Sequence, residues 1–412
     1  MNTPAPGRTR ADVLAFACSL TLFLTAPTLS QTPPASLGDA IKGGKPKISL
    51  RYRLEGVSED AFDKDALAST LRTTLGYSTL PYKGWSVTLE AENVAVIGND
   101  ELYANRGAGD LSNRVFDRPV IADPALTQLS QVYLRYQTEK TTFDLGRREV
   151  NVGDERFIGG VGWRQNHQEL DSFGITTQVL PHTKLSYLFI NKVHRIFGDS
   201  QPMASHYLGA GFAAGGAGEL TLYGLLLDYD EPSSSRLSSL TYGAELVGAR
   251  TAGGWKWLWE LELAQQDDAG DNPRPLDASY LHALAGVKRG ALTFRLGWEV
   301  LAGNPTDGQF QTPLATLHKW NGWADKFLST PLAGLEDLYL SVSGTAGVID
   351  WTVVAHDFQA ETGGASYGTE LDLQLLYKTS WKQSFGLKAA LYDADRFSSD
   401  TEKLILWTGY SF

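Results

Sequence analysis

WKWLWELEL, residues 255–263, alternates apolar with charged, Leu258 alone breaking the charged face. In an extended chain successive side chains point to opposite sides, so Trp255, Trp257, Trp259, Leu261 and Leu263 share one face and Lys256, Glu260 and Glu262 share the other. A soluble sandwich has little use for a strand with an aromatic-ended greasy face opposite a charged one. A strand with hydrocarbon on one side and a wet interior on the other needs both.

The same period recurs along the chain. Ile48, Leu50, Tyr52 and Leu54 oppose Ser49, Arg51, Arg53 and Glu55; Leu67, Leu71, Leu75 and Tyr77 oppose Arg72; Trp85, Val87, Leu89 and Ala91 oppose Ser86, Thr88, Glu90 and Glu92. Leu292, Phe294, Leu296, Trp298 and Val300 oppose Arg295 and Glu299, and Leu371, Leu373, Leu375 and Tyr377 oppose Glu370, Asp372 and Lys378. About eighteen such segments follow from this alternation. They start near residues 47, 67, 85, 127, 141, 168, 184, 205, 218, 237, 255, 278, 291, 335, 348, 367, 382 and 402. Tight connectors such as LPYKG, PHTK, TAGG and SWKQ alternate with long ones at roughly 96–126, 150–167, 194–204, 267–277 and 303–334, the rhythm of a transmembrane barrel with short periplasmic turns and long outer loops.

An even strand count places both strand ends on the periplasmic side. The closing run LILWTGYSF, 404–412, then pairs with the first strand, with Leu404, Leu406, Tyr410 and Phe412 facing lipid. Closure is required because unpaired backbone groups in hydrocarbon are costly. The predicted fold is therefore all-β, a porin-like antiparallel barrel spanning residues 47–412. The competing reading, two soluble sandwiches in tandem, leaves the charged faces unexplained and finds no composition break between halves.

Composition agrees: 42 Gly, 11% aromatic and only 20% charged residues in 412 suit strands and turns. After residue 30 no stretch is long and apolar enough for a membrane helix. Residues 1–30 read as an export signal: Arg8 and Arg10, an apolar run from Val13 to Thr25, then small residues up to Ser30. The one cysteine, Cys18, falls inside that run, so the mature chain has no disulfide or thiolate site, and a lipoprotein reading of Cys18 is weak. Residues 31–46, rich in Pro and Gly, read as a short flexible periplasmic lead. The formal charge of -11 becomes -12 once Arg8, Arg10 and Asp12 are removed, which argues against nucleic acid as a partner.

Five stretches carry a resemblance: RPVIADP (118–124), GRREVNVGDERFIGGVGWRQNHQELDSFGI (146–175), NKVHRIFGD (191–199), FQTPLATLHKWNGWADKFLSTPLAGLEDLYLS (310–341) and YGTELDLQL (367–375). They resemble the alginate-export family of outer-membrane barrels, in its broad bacterial branch rather than the dedicated exporter, over about residues 37–412. The resemblance implies a monomeric outer-membrane channel of about eighteen strands, surrounded by outer-membrane lipid, whose Arg-lined lumen passes an anionic oligo- or polysaccharide. Phe412 would be the signal read by the barrel-assembly machinery.

The residues themselves supply an inward row of Arg51, Arg53, Arg72, Arg135, Arg148 and Arg295, with Arg147, Arg156 and Arg164 at or just beyond strand ends. Glu55, Glu90, Glu92, Asp144 and Glu299 are available either to release a bound anion or simply to pair with arginines across the strands. Arg suits a carboxylated ligand because its planar fork makes a two-point contact, and conduction requires release as well as entry. The 303–334 connector holds Phe310, His318, Lys319, Trp320, Trp323 and Phe327, too apolar for an outer loop tip. It reads as a constriction packed into the lumen, or as a platform on which Trp320 or Trp323 stacks a sugar ring.

Rival readings remain. A general porin or a small-organic-anion porin fits the same barrel, and so does a surface-adhesion barrel. An outer-membrane enzyme would draw on His282 or His356, yet no Ser-His-acid arrangement stands out. GAGFAAGGAG (209–218) lacks the lysine of a phosphate loop and reads as a turn. DDAGDN (267–272) and DADRFSSD (393–400) lack calcium-loop spacing and read as solvated charge. No cofactor is implied.

Overall fold

The computed structural model describes residues 33–412, so the export-signal reading of residues 1–30 lies outside the described residues. Within the 31–46 lead, Leu37–Lys42 form a short helix, α1, capped by Ser36, whose hydroxyl accepts from the Asp39 backbone N–H. The strands follow: β1 (Lys45–Glu59), β2 (Ala66–Ser78), β3 (Trp85–Val96), β4 (Leu126–Gln137), β5 (Thr141–Arg148), β6 (Glu169–Thr177), β7 (Thr183–His194), β8 (Ser200–Ala213), β9 (Glu219–Leu227) and β10 (Ser239–Ala252). Then come β11 (Trp255–Asp268), β12 (Asp277–Arg289), β13 (Leu292–Leu301), a two-residue hairpin of β14 (Gly303–Asn304) and β15 (Gly308–Gln309), β16 (Leu335–Ala346), β17 (Ile349–Gln359), β18 (Ser366–Lys378), β19 (Gln383–Ala394) and β20 (Thr401–Ser411).

Apart from the hairpin, the strands make one 18-stranded sheet in which each pairs antiparallel with its neighbours in sequence. It closes through β1 and β20, which align Ser49 with Ser411 and Glu59 with Thr401. Phe412 extends the seam, its N–H donating to the Ile48 carbonyl at 2.8 Å. Closure leaves no backbone edge, which is what permits the sheet to sit in hydrocarbon.

Burial inverts the soluble pattern. Leu50, Leu75, Leu89, Leu145, Leu208 and Leu263 are exposed on the outside, whereas Arg53, Glu55, Glu92 and Glu299 are almost fully buried on the inside. Aromatic pairs mark the periplasmic rim: Trp85 on Tyr136 at 4.7 Å and Tyr377 on Phe385 at 6.2 Å. Such a belt of apolar wall with aromatic ends places the barrel in a membrane. The Lys83–Gly84 turn between β2 and β3 shows how tight this rim is. Both residues have positive φ, and a Cβ on Gly84 would lie 2.7 Å from the Tyr136 ring.

One strand begins earlier than the alternation predicts, β8 at Ser200 rather than near 205. The register shifts between Ile190 and Lys192 of β7, and Pro202 stands opposite Lys192. A bulge and a proline erase the period-two signal just there.

Candidate functional site in the barrel lumen

Arg51 and Arg53 sit mid-strand on the inner face of β1, where they hold the 149–168 loop inside the barrel. Arg51 donates to Gln165 Oε1 at 2.9 Å and to the Gly162 and Trp163 carbonyls at 3.0 Å, and also to the Arg164 carbonyl. Arg53 donates to the Trp163 carbonyl at 2.7 Å, lies 4.3 Å over the Trp163 ring and pairs with Glu55 at 2.5 Å. Both guanidiniums are therefore engaged by the loop and by Glu55, the structural pairing that the sequence left open beside a pore-lining role. Carbonyls that point into a barrel need donors, and arginine supplies five in a fixed fork.

The 302–334 loop fills the rest of the lumen. Phe310, Trp323 and Phe327 join Tyr280, Phe358, Tyr367 and Tyr392 in one core inside the barrel. The Trp323 and Ala324 backbone N–H groups donate to Asp372 at 3.0 Å and Glu370 at 2.7 Å on β18. Gly322 makes this approach possible: its φ is +82, and a Cβ there would stand 2.4 Å from the Glu370 carboxylate. Glu299 on β13 receives Arg156 at 2.7 Å and Asn321 at 2.6 Å.

A charge network joins the two loops. Arg164 pairs with Glu55 at 3.0 Å and with Asp325 at 3.2 Å, and Asp325 also receives Lys403 at 2.5 Å and His318 at 2.6 Å. Trp163 stacks on His318 at 4.4 Å, and Lys388 Nζ lies 3.8 Å from the Trp163 ring and 3.9 Å from the Trp323 ring. Burial, aided by the Lys388 charge, depresses His318 to about 3, against the pull of Asp325. The imidazole is thus neutral, accepting from Lys388 on Nε2 at 3.0 Å and donating from Nδ1 to Asp325. Burial opposes ionisation of both Arg164 and Asp325, but their opposite charges prevail, raising the Arg164 pKa and holding Asp325 well below the usual carboxylate range.

Of the two readings of the 303–334 connector, these contacts favour the packed constriction over the stacking platform. Trp323 is buried beneath Lys388, and Trp320 lies under Arg156 at 5.0 Å and edge-on to His282 at 5.5 Å. Lys319 reaches the Asp154 carbonyl and Glu155. His282 lies between Glu260 and Tyr339, each at 2.9 Å, and His356 pairs with Asp337 at 2.8 Å.

Other inward residues line the space the loops leave. Arg135 makes a two-point contact with Asp144, 2.7 and 3.0 Å, and Arg148 lies 3.7 Å from the same carboxylate. Lys47 pairs with Glu90 at 2.6 Å and Arg295 points inward from β13 beside Ser341, whereas Arg72, like Arg51, is tied to the 149–168 loop, donating to His167 at 2.6 Å. Across the lumen Asp154, Glu245 and Glu260 bring their carboxylates within 4.8 Å of one another. Arg147 is a different case: it pairs with exposed Val132 in register and shares its face with exposed Leu145, so it lies on the outer wall, bonded to Asp171 at 2.8 Å. The alternation Phe143, Leu145, Arg147 already contains that answer.

Several residues of this site were not singled out in sequence. Trp163 and Asp325 lie in loops with no period, and Lys388 and Lys403 are inward by parity on β19 and β20. Parity alone would have found the two lysines. Asp154 gives a pH test. Burial, then the nearby Glu260, push its carboxyl up to about 6. Between pH about 4 and about 6 the folded chain therefore holds a proton that an unfolded one has released, and the charge cost appears as pH rises through about 6. Lowering the pH from about 7 to about 5 is expected to shift reversal potentials in a salt gradient toward anions, and Asp154→Asn to remove that part of the shift.

No protein-family model matches the chain, and no curated protein matches it in sequence. In structure it is similar to Pseudomonas aeruginosa OpdK crystallised with vanillate, at 15% identity and a TM-score of 0.71 over 90% of this chain and 99% of that one. It is also similar to Acinetobacter baumannii OccAB4 (13% identity, TM-score 0.70, 90% and 98%) and to P. aeruginosa OccK9 (13%, 0.70, 90% and 99%). These neighbours are Occ and Opd outer-membrane porins, which overturns the resemblance to the alginate-export family. Much of the stretches that suggested it lies in the inward-folded loops and the strand ends they meet, where an occluded barrel needs charges and aromatics whatever it carries. At these identities the shared property is the fold, a closed 18-strand antiparallel barrel of the outer-membrane porin type, which belongs in the bacterial outer membrane.

Proposed function

We propose that this barrel is a diffusion channel for small organic anions. The observation that carries this reading is the lumen itself: two inward loops stapled together across it, with Arg135 and Arg148 on the β4–β5 wall and, on the other side, Asp154 of the 149–168 loop beside Glu245 and Glu260 of β10 and β11. Opposed rows of fixed charge orient a small carboxylate and let it leave again. A stiff polymer chain has no comparable path past two packed loops. The vanillate in the OpdK crystal structure is an aromatic carboxylate of the size this reading calls for. Liposome swelling tests it. Vesicles containing the protein are expected to swell faster in small aromatic carboxylates than in neutral sugars of similar size; equal rates for both would favour a general porin instead.

A further inference from the structure

We propose that Glu92, His167 and Glu169 form a binding site for a divalent cation of the zinc class, one that clamps the constricting loop to the wall. Glu92 lies on β3, His167 near the end of the 149–168 loop, and Glu169 is the first residue of β6. One ligand atom from each lies within 4.8 Å of the others, close enough for small side-chain movements to bring all three onto a single ion.

The second observation is Glu169 itself. Its side chain is 1% exposed, and neither carboxylate oxygen has a hydrogen-bond partner. Glu92 is equally buried and its oxygens likewise lack a hydrogen bond, but Oε2 has charged neighbours, His167 Nδ1 at 3.0 Å and Arg72 at 3.9 Å. Glu169 has no such neighbour in contact among the described residues. A buried carboxylate facing another one is costly unless a counter-charge joins them.

The tautomer of His167 sets the condition a metal must meet. Arg72 can only donate, and it donates to Nε2 at 2.6 Å, so the lone pair is on Nε2 and the proton on Nδ1, the nitrogen that lies 3.0 Å from Glu92 Oε2. An N···O separation of 3.0 Å matches two ligands sharing one ion at about 2.1 Å each. A cation taking the place of the Nδ1 proton sends that proton to Nε2, and Arg72 then gives up its contact there. One imidazole with two carboxylates suits Zn²⁺, Mn²⁺ or Fe²⁺. Ca²⁺, which takes six to eight oxygens, is poorly served. The site stands independently of what the channel carries.

Calorimetric titration of the metal-stripped, detergent-solubilised barrel with zinc chloride tests it, with calcium chloride as the second probe. The expected result is one Zn²⁺ per chain, no comparable heat from Ca²⁺, and affinity lowered at least about tenfold in Glu169→Gln and in His167→Gln. Glu169→Gln replaces an unpartnered buried carboxyl group with a neutral isostere, so it is expected to keep the heat-modifiable gel mobility of the folded barrel and decides the matter even if His167→Gln does not fold. Absence of stoichiometric zinc would overturn the proposal and leave a proton as the occupant of Glu169. Full affinity retained in Glu169→Gln would overturn it equally, by assigning the zinc to other histidines.

Discussion

Asp325→Asn is expected to raise single-channel conductance several-fold and to make the current noisy, while the barrel still assembles. Asp325 is the shared acceptor of Arg164, Lys403 and His318. Removing its charge leaves Lys403, almost fully buried, without a carboxylate partner. Breaking a buried pair by deleting one partner costs about 3–5 kcal/mol, enough to move a loop held largely by such contacts. The barrel walls do not depend on Asp325, because their ladders and the β1–β20 seam are backbone hydrogen bonds. Planar-bilayer recordings beside a heat-modifiability gel check both halves of this expectation. A conductance identical to wild type would mean that the 302–334 loop is held by its aromatic core alone.

The second large effect is expected from Arg135→Glu combined with Arg148→Glu. Both arginines face the lumen around Asp144, on a wall with no inward loop carbonyls in contact with them. Reversing two charges beside an existing carboxylate changes the local charge by four units, and the wall opposite is already acidic. Reversal potentials in a salt gradient are expected to move from anion preference to cation preference. The same reversal at Arg51 would confound selectivity with loop release, since Arg51 holds the carbonyls of Gly162, Trp163 and Arg164.

Much of the barrel was legible because hydrocarbon imposes a local rule. Every strand must alternate, and WKWLWELEL shows that rule within nine residues. The closing strand followed from the same logic, with Leu404, Leu406, Tyr410 and Phe412 exposed outside. The lumen was less legible, because its contacts are not local. Arg51 meets Gln165 and Glu55 meets Arg164 across more than a hundred residues, and no period in either segment announces the other. Arg147 was misplaced for a simpler reason, since a residue at a strand end was treated as loop when its parity already placed it outside.

Block of the open channel by an aromatic carboxylate bears most directly on the central claim, that two stapled loops and an arginine wall shape a path for small anions. With vanillate, its uncharged amide analogue and alginate oligomers added in turn to a single reconstituted channel, the account predicts saturable block by vanillate alone. Equal block by the amide, or saturable block by the alginate oligomers, would contradict it.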